Sequence, residues 1–189
     1  RRTTINYTTL TLPSGAPYSL PTDVNEYEAN GTTLHRRTHT DYVTTVSAYL
    51  NRRMISLPES IKVYDGSNNL MAKTGYWYDW NGEYLVNTVA TPTQHHSSYN
   101  TDFTQGRGNL TQVMRFDISD QNNELKGHVQ RIAYDINGSV VFTRDAMNRQ
   151  TSMSYADSFS DNVNRNTFAY LTTVTDPAGF SSHAKYKFE

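Results

Sequence analysis

The sequence predicts an all-β protein made of tandem antiparallel β-hairpins, with little or no helix. Three observations support this fold class. Residue character alternates with a period of two along several segments, which is typical of strands with two distinct faces. The turns between these segments share one sequence pattern. The composition also favours sheet, since 14 of the 189 residues are Tyr, which suits a pleated, half-buried surface.

The predicted strands are the segments in which this alternation is clearest. They lie at residues 61–63, 70–78, 110–116 and 140–143. Residues 47–54 carry only a weak apolar pattern, and so short a helix would be marginal by itself. We therefore interpret 47–54 as a strand followed by an irregular linker. The polar stretches 94–108 and 156–166 are predicted to be loops.

Five predicted turns share the pattern Asp-x-x-Gly or Asp-x-x-Asn. Asp in the first position can accept hydrogen bonds from backbone N–H groups of its own turn, and Gly or Asn in the fourth tolerates the left-handed conformation. The pattern is typical of a tight hairpin with a type I turn and a bulge. The predicted turn-forming residues are Asp65, Asp79, Gly82, Asp135, Gly138, Asp145, Asn148, Asp176 and Gly179. We expect positive φ at Gly138 and Gly179.

The segment from Tyr134 to Asp145, continued by Asn148, Thr151 and Tyr155, resembles the YD repeat of the bacterial Rhs family. It has the Tyr-Asp pair, the turn Gly, the apolar strand, the second Asp turn and the closing Tyr. Further pieces of the same pattern lie at 63–76, 108–111 and 174–186. The resemblance implies a continuous ribbon of β-hairpins in a large secreted or cell-surface bacterial protein. In that family the ribbon can also form a shell that encloses a toxin domain.

The resemblance also suggests how the chain is organised. We expect residues 1–58 to form an N-terminal β segment of degenerate repeats and 59–189 to form the YD-repeat-like hairpin region, as one continuous structural unit. The sequence starts at Arg1 without an initiator Met or a signal peptide, so we expect a piece of a longer chain.

The first and last segments are predicted to be strands available for pairing. Thr3 to Leu12 is uncharged and alternating, and Phe180 to Phe188 has a similar pattern. The expected partners are flanking repeats of a larger parent chain or other copies of the same chain. Head-to-tail pairing between copies would build an extracellular fibre, because such a contact need not close.

Composition argues against several other classes of function. The 17 basic and 18 acidic residues are dispersed, whereas nucleic-acid binding needs a concentrated basic face. Cysteine is absent, which excludes disulfides, thiol catalysis and Cys-based zinc sites. No apolar run approaches the roughly 18 residues of a membrane helix. We expect no nucleic-acid partner, no membrane span and no cofactor.

The sequence predicts no catalytic residues and no metal site. His95 and His96 are adjacent, so on a strand they would point in opposite directions. His35 and His39 have a spacing that allows one shared ion only on a helix. The acidic residues lie mostly in turns, and no nucleophile-elbow pattern occurs.

Aromatic residues supply the alternative to a purely structural role. Trp77, Trp80 and Tyr84 are close in sequence and form a candidate glycan-stacking cluster. Three functions therefore compete: a structural scaffold, a carbohydrate-binding module and a glycan-degrading enzyme. The scaffold is the function that we expect.

Overall fold

The computed structural model describes residues 1–80, 84–120 and 126–187. Little of the described chain is helical, which confirms the all-β fold class. The prediction for residues 47–54 is wrong in part, because Ser47–Asn51 forms a short helix, α1. Tyr49 of this helix is 3% exposed. Burial of Tyr49 stabilises a helical turn that would be marginal in isolation.

In the described residues, twelve strands form one sheet. In chain order they are β1 (Thr3–Thr11), β2 (Pro17–Tyr27), β3 (Leu34–Tyr42), β4 (Pro58–Asp65), β5 (Leu70–Tyr78), β6 (Leu85–Val86), β7 (Leu110–Phe116), β8 (Gly127–Asp135), β9 (Val140–Arg144), β10 (Gln150–Ser154), β11 (Thr173–Thr175) and β12 (Ser181–His183). The spatial order is β1-β2-β3-β4-β5-β7-β8-β9-β10-β11-β12, and β6 pairs with β8 beside this path. Consecutive strands are therefore mostly neighbours.

Hairpins account for most of the strand pairing. The pairs β1–β2, β2–β3, β3–β4, β4–β5, β8–β9, β9–β10, β10–β11 and β11–β12 are antiparallel. The short strand β6 instead runs parallel to β8. The strands predicted from alternation coincide with β4, β5, β7 and β9, which confirms them.

Contacts divide the chain into two compact units. The first unit comprises Arg1–Trp77 with Val113–Val129, and the second comprises Tyr78–Gln112 with Gln130–Glu189. The expected boundary near residue 58 lies within the first unit, where β3 pairs with β4. The buried apolar residues of the first unit are Leu12, Leu20, Tyr49, Ile55 and Met114. Those of the second unit are Tyr84, Ala133, Ile136, Phe159 and Phe168.

The two faces of β1 to β5 differ in chemistry, because successive residues of a strand point to opposite faces. One row of register partners is mostly apolar and consists of Ile5, Val24, Thr38, Val63 and Ala72. The adjacent row is polar and consists of Asn6, Asp23, His39, Lys62 and Lys73. None of the helices in the described ranges is long and apolar enough to cross a membrane.

Candidate functional site

Four of the predicted turns have the same hydrogen-bond geometry. The backbone N–H of the first residue donates to the carbonyl of the fifth, and the N–H of the fourth donates to the carbonyl of the first. The carboxylate Oδ1 of the first residue accepts from the N–H groups of the third and fifth, at 2.8 to 3.0 Å. These turns begin at Asp65, Asp135, Asp145 and Asp176.

The fourth residue of each of these turns has a left-handed backbone. Its φ is +67° at Asn68, +87° at Gly138, +60° at Asn148 and +90° at Gly179. Gly and Asn are the residues that adopt this conformation most readily. The two Gly values agree with the sequence-based expectation.

A fifth turn with the same backbone closes the β1–β2 hairpin. The N–H of Gly15 donates to the carbonyl of Leu12 at 2.8 Å, and Gly15 has φ of +81°. Sequence analysis missed this turn because Leu12 stands where the pattern has Asp. The Pro13-Ser14-Gly15 run was the available signal.

Asp79 binds a loop that lies far from it in the sequence. Its Oδ2 accepts from the backbone N–H groups of Gly106, Arg107 and Gly108 at 2.9 to 3.0 Å, and its Oδ1 accepts from that of Asn109 at 2.9 Å. The N–H of Asp79 donates to the carbonyl of Asn109 at 2.8 Å. Asp79 therefore anchors the segment before β7. Gly82, its expected turn partner, lies outside the described residues.

The Arg107 side chain forms hydrogen bonds that hold the same loop in place. Nε donates to the carbonyl of Phe103 and Nη1 to that of Ile136, each at 2.9 Å. Nη2 donates to the carbonyls of Tyr99 and Asn100, at 2.6 and 2.9 Å. Burial lowers the pKa of Arg107, and two neighbouring carboxylates oppose this shift. The guanidinium satisfies three carbonyls of the stretch that the sequence predicted only as loop, and a fourth in the turn that begins at Asp135.

Asp157 has the corresponding role in the 156–166 loop. Its carboxylate accepts from the N–H of Arg165 at 2.8 Å, from the N–H and Oγ1 of Thr167, and from the N–H of Phe168 at 3.1 Å. Burial raises the pKa of Asp157, but these hydrogen bonds, with Thr167 foremost, lower it overall. Its partners lie eight to eleven residues away, so no local pattern indicated them.

A polar network crosses β2, β3 and β4 in the first unit. His39 Nδ1 lies 2.8 Å from Asp23 Oδ1, and His39 Nε2 lies 3.1 Å from Asp41 Oδ1. Asp41 Oδ2 accepts from Ser60 Oγ at 2.6 Å and pairs with Lys62 Nζ at 2.8 Å. Burial opposes ionisation of Asp41, but hydrogen bonds from Lys62, Ser60 and His39 and the charge of Lys62 lower its pKa to about 2.

This network is not arranged for nucleophilic catalysis. Ser60 Oγ donates its hydrogen bond to Asp41. In a Ser-His-Asp relay the serine hydroxyl must instead be hydrogen-bonded to the imidazole ring. Both nitrogens of His39 already face carboxylates. Within the described ranges, no group of three or more His, Cys, Asp or Glu side chains is placed to hold a metal ion.

The other histidines of the sequence analysis lie in separate local contacts. His35 Nδ1 lies 2.7 Å from Glu28 Oε1. His95 Nε2 lies 3.2 Å from the carbonyl of Tyr99, and His96 Nδ1 lies 2.7 Å from Ser98 Oγ. His35 and His39 both lie on β3.

The aromatic cluster is only partly placed for stacking on a sugar. Trp77 packs against Phe116 with ring centroids 6.4 Å apart and the planes tilted by 36°. Trp80 is 43% exposed. Tyr84 is 4% exposed and its ring packs on Phe142, so Tyr84 is a core residue with no open ring face. Glycan stacking by Trp77 and Trp80 stays a prediction.

Comparison with known proteins gives weak structural similarity. No family model matches the sequence, and no curated protein matches it at the threshold applied. The chain is similar to a chain in the crystal structure of TcdB2-TccC3-Cdc42, with 13% identity and a TM-score of 0.23. The similarity covers 95% of this chain and 10% of that one, so the chain spans about a tenth of the structure it matches.

Proposed function

We propose that the chain is a non-catalytic structural segment of the Rhs-like, YD-repeat type, acting as scaffold in a large secreted or cell-surface protein. The observation that supports this most is the recurrence of one Asp turn, with the same hydrogen bonds, at Asp65, Asp135, Asp145 and Asp176. Recurrence of one turn indicates a repeated hairpin unit. Units of this kind gain stability by stacking on their neighbours in a series.

The placement of the acidic residues supports a structural role. Asp79 and Asp157 bind backbone N–H groups of loops, and the four turn Asp residues bind those of their own turns. A hydrolytic carboxylate needs instead to face a substrate in a cleft. These carboxylates accept hydrogen bonds from the backbone N–H groups of turns and loops.

The outer edge of β1 offers a surface for extending the scaffold. In the described part of the chain, β1 pairs with β2 on one side and with no strand on the other. The carbonyl of Arg2 accepts from the N–H of Tyr27 at 2.9 Å, and hydrogen-bonded pairs alternate along an antiparallel ladder. The backbone groups of Thr3 and Ile5 therefore point away from β2.

Nothing in the sequence of β1 blocks this edge. The nine residues TTINYTTLT contain no charge, Pro or Gly, although natural edge strands are usually protected by such residues. Ile5 and Tyr7 are 48% and 62% exposed. The proposed occupant is a strand of a flanking repeat or of a second copy of the chain, added in register to the sheet.

Sedimentation velocity at micromolar concentration tests this function. We expect the parent chain to form assemblies that grow with concentration, and the edge variant I5K/Y7K to sediment as a 21.5 kDa monomer. Met71→Lys is the matched control, because Met71 is 58% exposed but lies on the inner strand β5. It should assemble like the parent. A parent chain that is monomeric at every concentration contradicts the proposal.

A further inference from the structure

The four equivalent Asp turns differ in what meets the second carboxylate oxygen, Oδ2. Asp65 Oδ2 accepts from Asn69 Nδ2 at 2.9 Å, and Asp145 Oδ2 pairs with Arg149 at 2.6 Å. Asp176 lies exposed to solvent. Asp135 is 3% exposed, and no group in the described ranges donates to its Oδ2. The charges of Arg107 and His95 act on this carboxylate, but in the described ranges neither donates a hydrogen bond to Oδ2. This oxygen can therefore accept a further donor from the cavity side.

Asp135 lines a cavity of about 130 Å³ in the second unit. Val141, Met153 and Phe168 give the cavity an apolar wall, and Tyr155 lies beside Asp135 in its lining. Ala156 is an exposed residue of the same lining. An apolar cavity of about 150 Å³ accommodates benzene, so this one suits about five non-hydrogen atoms.

The electrostatics of the cavity favour a cation over an anion. Burial raises the pKa of Asp135, while hydrogen bonds from its own turn and the charge of His95 oppose this shift. Arg107 also interacts electrostatically with Asp135. Burial and the charge of Asp135 both raise the pKa of Tyr155. A positively charged donor would supply the hydrogen bond that Oδ2 lacks and offset the desolvation of the carboxylate. The apolar wall would cover methylene groups, and the Phe168 ring can attract a cation.

We propose that this cavity binds a primary ammonium group on a short aliphatic chain, with the Asp135 carboxylate as its counter-ion. Such a group occurs in free alkylamines and in the lysine side chain of a partner protein. The site is independent of the proposed scaffold function, since it depends only on the second unit.

Calorimetric titration of the full chain with n-butylammonium tests the site, because this probe has the atoms of a lysine side chain. The matched neutral probe is 1-butanol. The ammonium should bind at least about tenfold more tightly, since a charge-assisted hydrogen bond is stronger than a neutral one. Equal binding of the two probes, or no ammonium binding, overturns the proposal.

Asp135→Asn is the decisive variant. The amide keeps an oxygen for the N–H groups of Asn137 and Ser139 but removes the charge, so the preference for ammonium should disappear. Asp145→Asn makes the same change in a turn of the same geometry outside the cavity, and should bind like the parent. An Asp135→Asn chain that retains the preference overturns the proposal.

A second variant covers the case in which Asp135→Asn does not fold. Ala156→Leu keeps Asp135 and places an apolar side chain in the cavity lining, so it should abolish ammonium binding. Unchanged binding in this variant overturns the proposal. Affinity of the parent should also fall as the pH is lowered from 7 to about 4, because the counter-ion becomes protonated. Constant affinity over that range contradicts the assignment.

A third probe, Nα-acetyl-lysine amide, separates the two sources of the ammonium group. Binding as tight as that of n-butylammonium identifies the cavity as a site for the lysine side chain of a partner. Tenfold weaker binding identifies it as a site for a free alkylamine. Each result supports the ammonium site and excludes one source.

Discussion

Asp79 and Arg107 stabilise the same loop: Asp79 Oδ2 accepts from the backbone N–H of Arg107 at 2.9 Å, while the Arg107 side chain donates to four backbone carbonyls, three of them in that loop. Asp79 accepts hydrogen bonds from backbone N–H groups, and Arg107 donates hydrogen bonds to backbone carbonyls. A loop without strand partners thereby pairs many of its backbone polar groups, as partly buried backbone requires.

Asp79→Asn should lower the free energy of unfolding by about 2–4 kcal/mol, because both carboxylate oxygens accept backbone N–H groups and the amide NH2 must replace one of them in either orientation. Chemical denaturation monitored by circular dichroism measures the loss. Asp176→Asn is the control, since the two backbone N–H groups at Asp176 both donate to Oδ1, which the amide retains. Equal losses in the two variants would refute the anchoring role of Asp79.

Gly138→Val should cost about 1–2 kcal/mol, because a β-branched residue is strained at the φ of +87° found there. The cost is conformational, since a Cβ at Gly138 would meet no atom within 4 Å. Gly138→Asn should be nearly neutral, because Asn68 and Asn148 occupy the same turn position at positive φ. Thermal unfolding of the two variants gives the comparison. Identical melting of the Val variant and the parent would mean that the turn assignment is wrong.

Gly75→Ala should displace the Trp77 ring. A Cβ on Gly75 would lie 2.7 and 2.9 Å from two ring carbons of Trp77 and 3.0 Å from Phe116. We expect a loss of about 1–3 kcal/mol from this overpacking. In a Trp80→Phe background, excitation selective for Trp reports on Trp77 alone, since the chain has two Trp residues. Its fluorescence maximum should shift. An unchanged spectrum and stability would contradict the close packing of Trp77 on Gly75.

Asp41 should make stability depend on pH in the acid range. Its pKa falls from 3.8 in the unfolded chain to about 2 in the folded one, so its contribution is complete above 3.8 and lost as pH falls through about 2. Asp41 is 34% exposed, and after allowance for solvent screening we expect about 1 kcal/mol.

Asp41→Asn tests this linkage by urea denaturation across the acid range. The variant should be less stable than the parent at neutral pH. The difference should shrink as the pH falls through about 2 and vanish below it, where Asp41 is protonated in both states. A difference that is the same at every pH would assign the effect to packing rather than to charge.

The turns were predictable because all their hydrogen-bond partners lie within five residues. Asp65, Asp135, Asp145 and Asp176 each bond to the residues that follow them directly. Asp79 carries the same sequence pattern, but its partners in the described residues lie 27 to 30 residues away, and no local pattern indicated them.

Side-chain contacts that depend on strand register could not be predicted from the sequence for the same reason. His39 meets Asp23 because the pairing of β2 with β3 places them opposite each other. Helix α1 was missed because the burial of Tyr49, rather than local propensity, stabilises it. Alternation and turn chemistry therefore predict the hairpins, while the networks between them depend on the fold.

Residue-resolved amide hydrogen exchange of β1 as a function of protein concentration tests the central claim, strand addition at the open edge, most directly. The inward amides of Thr4 and Asn6 face β2 and should be protected at every concentration. The outward amides of Thr3 and Ile5 should exchange freely in dilute solution and become protected as the concentration rises. Outward amides that exchange equally fast at all concentrations would contradict the account.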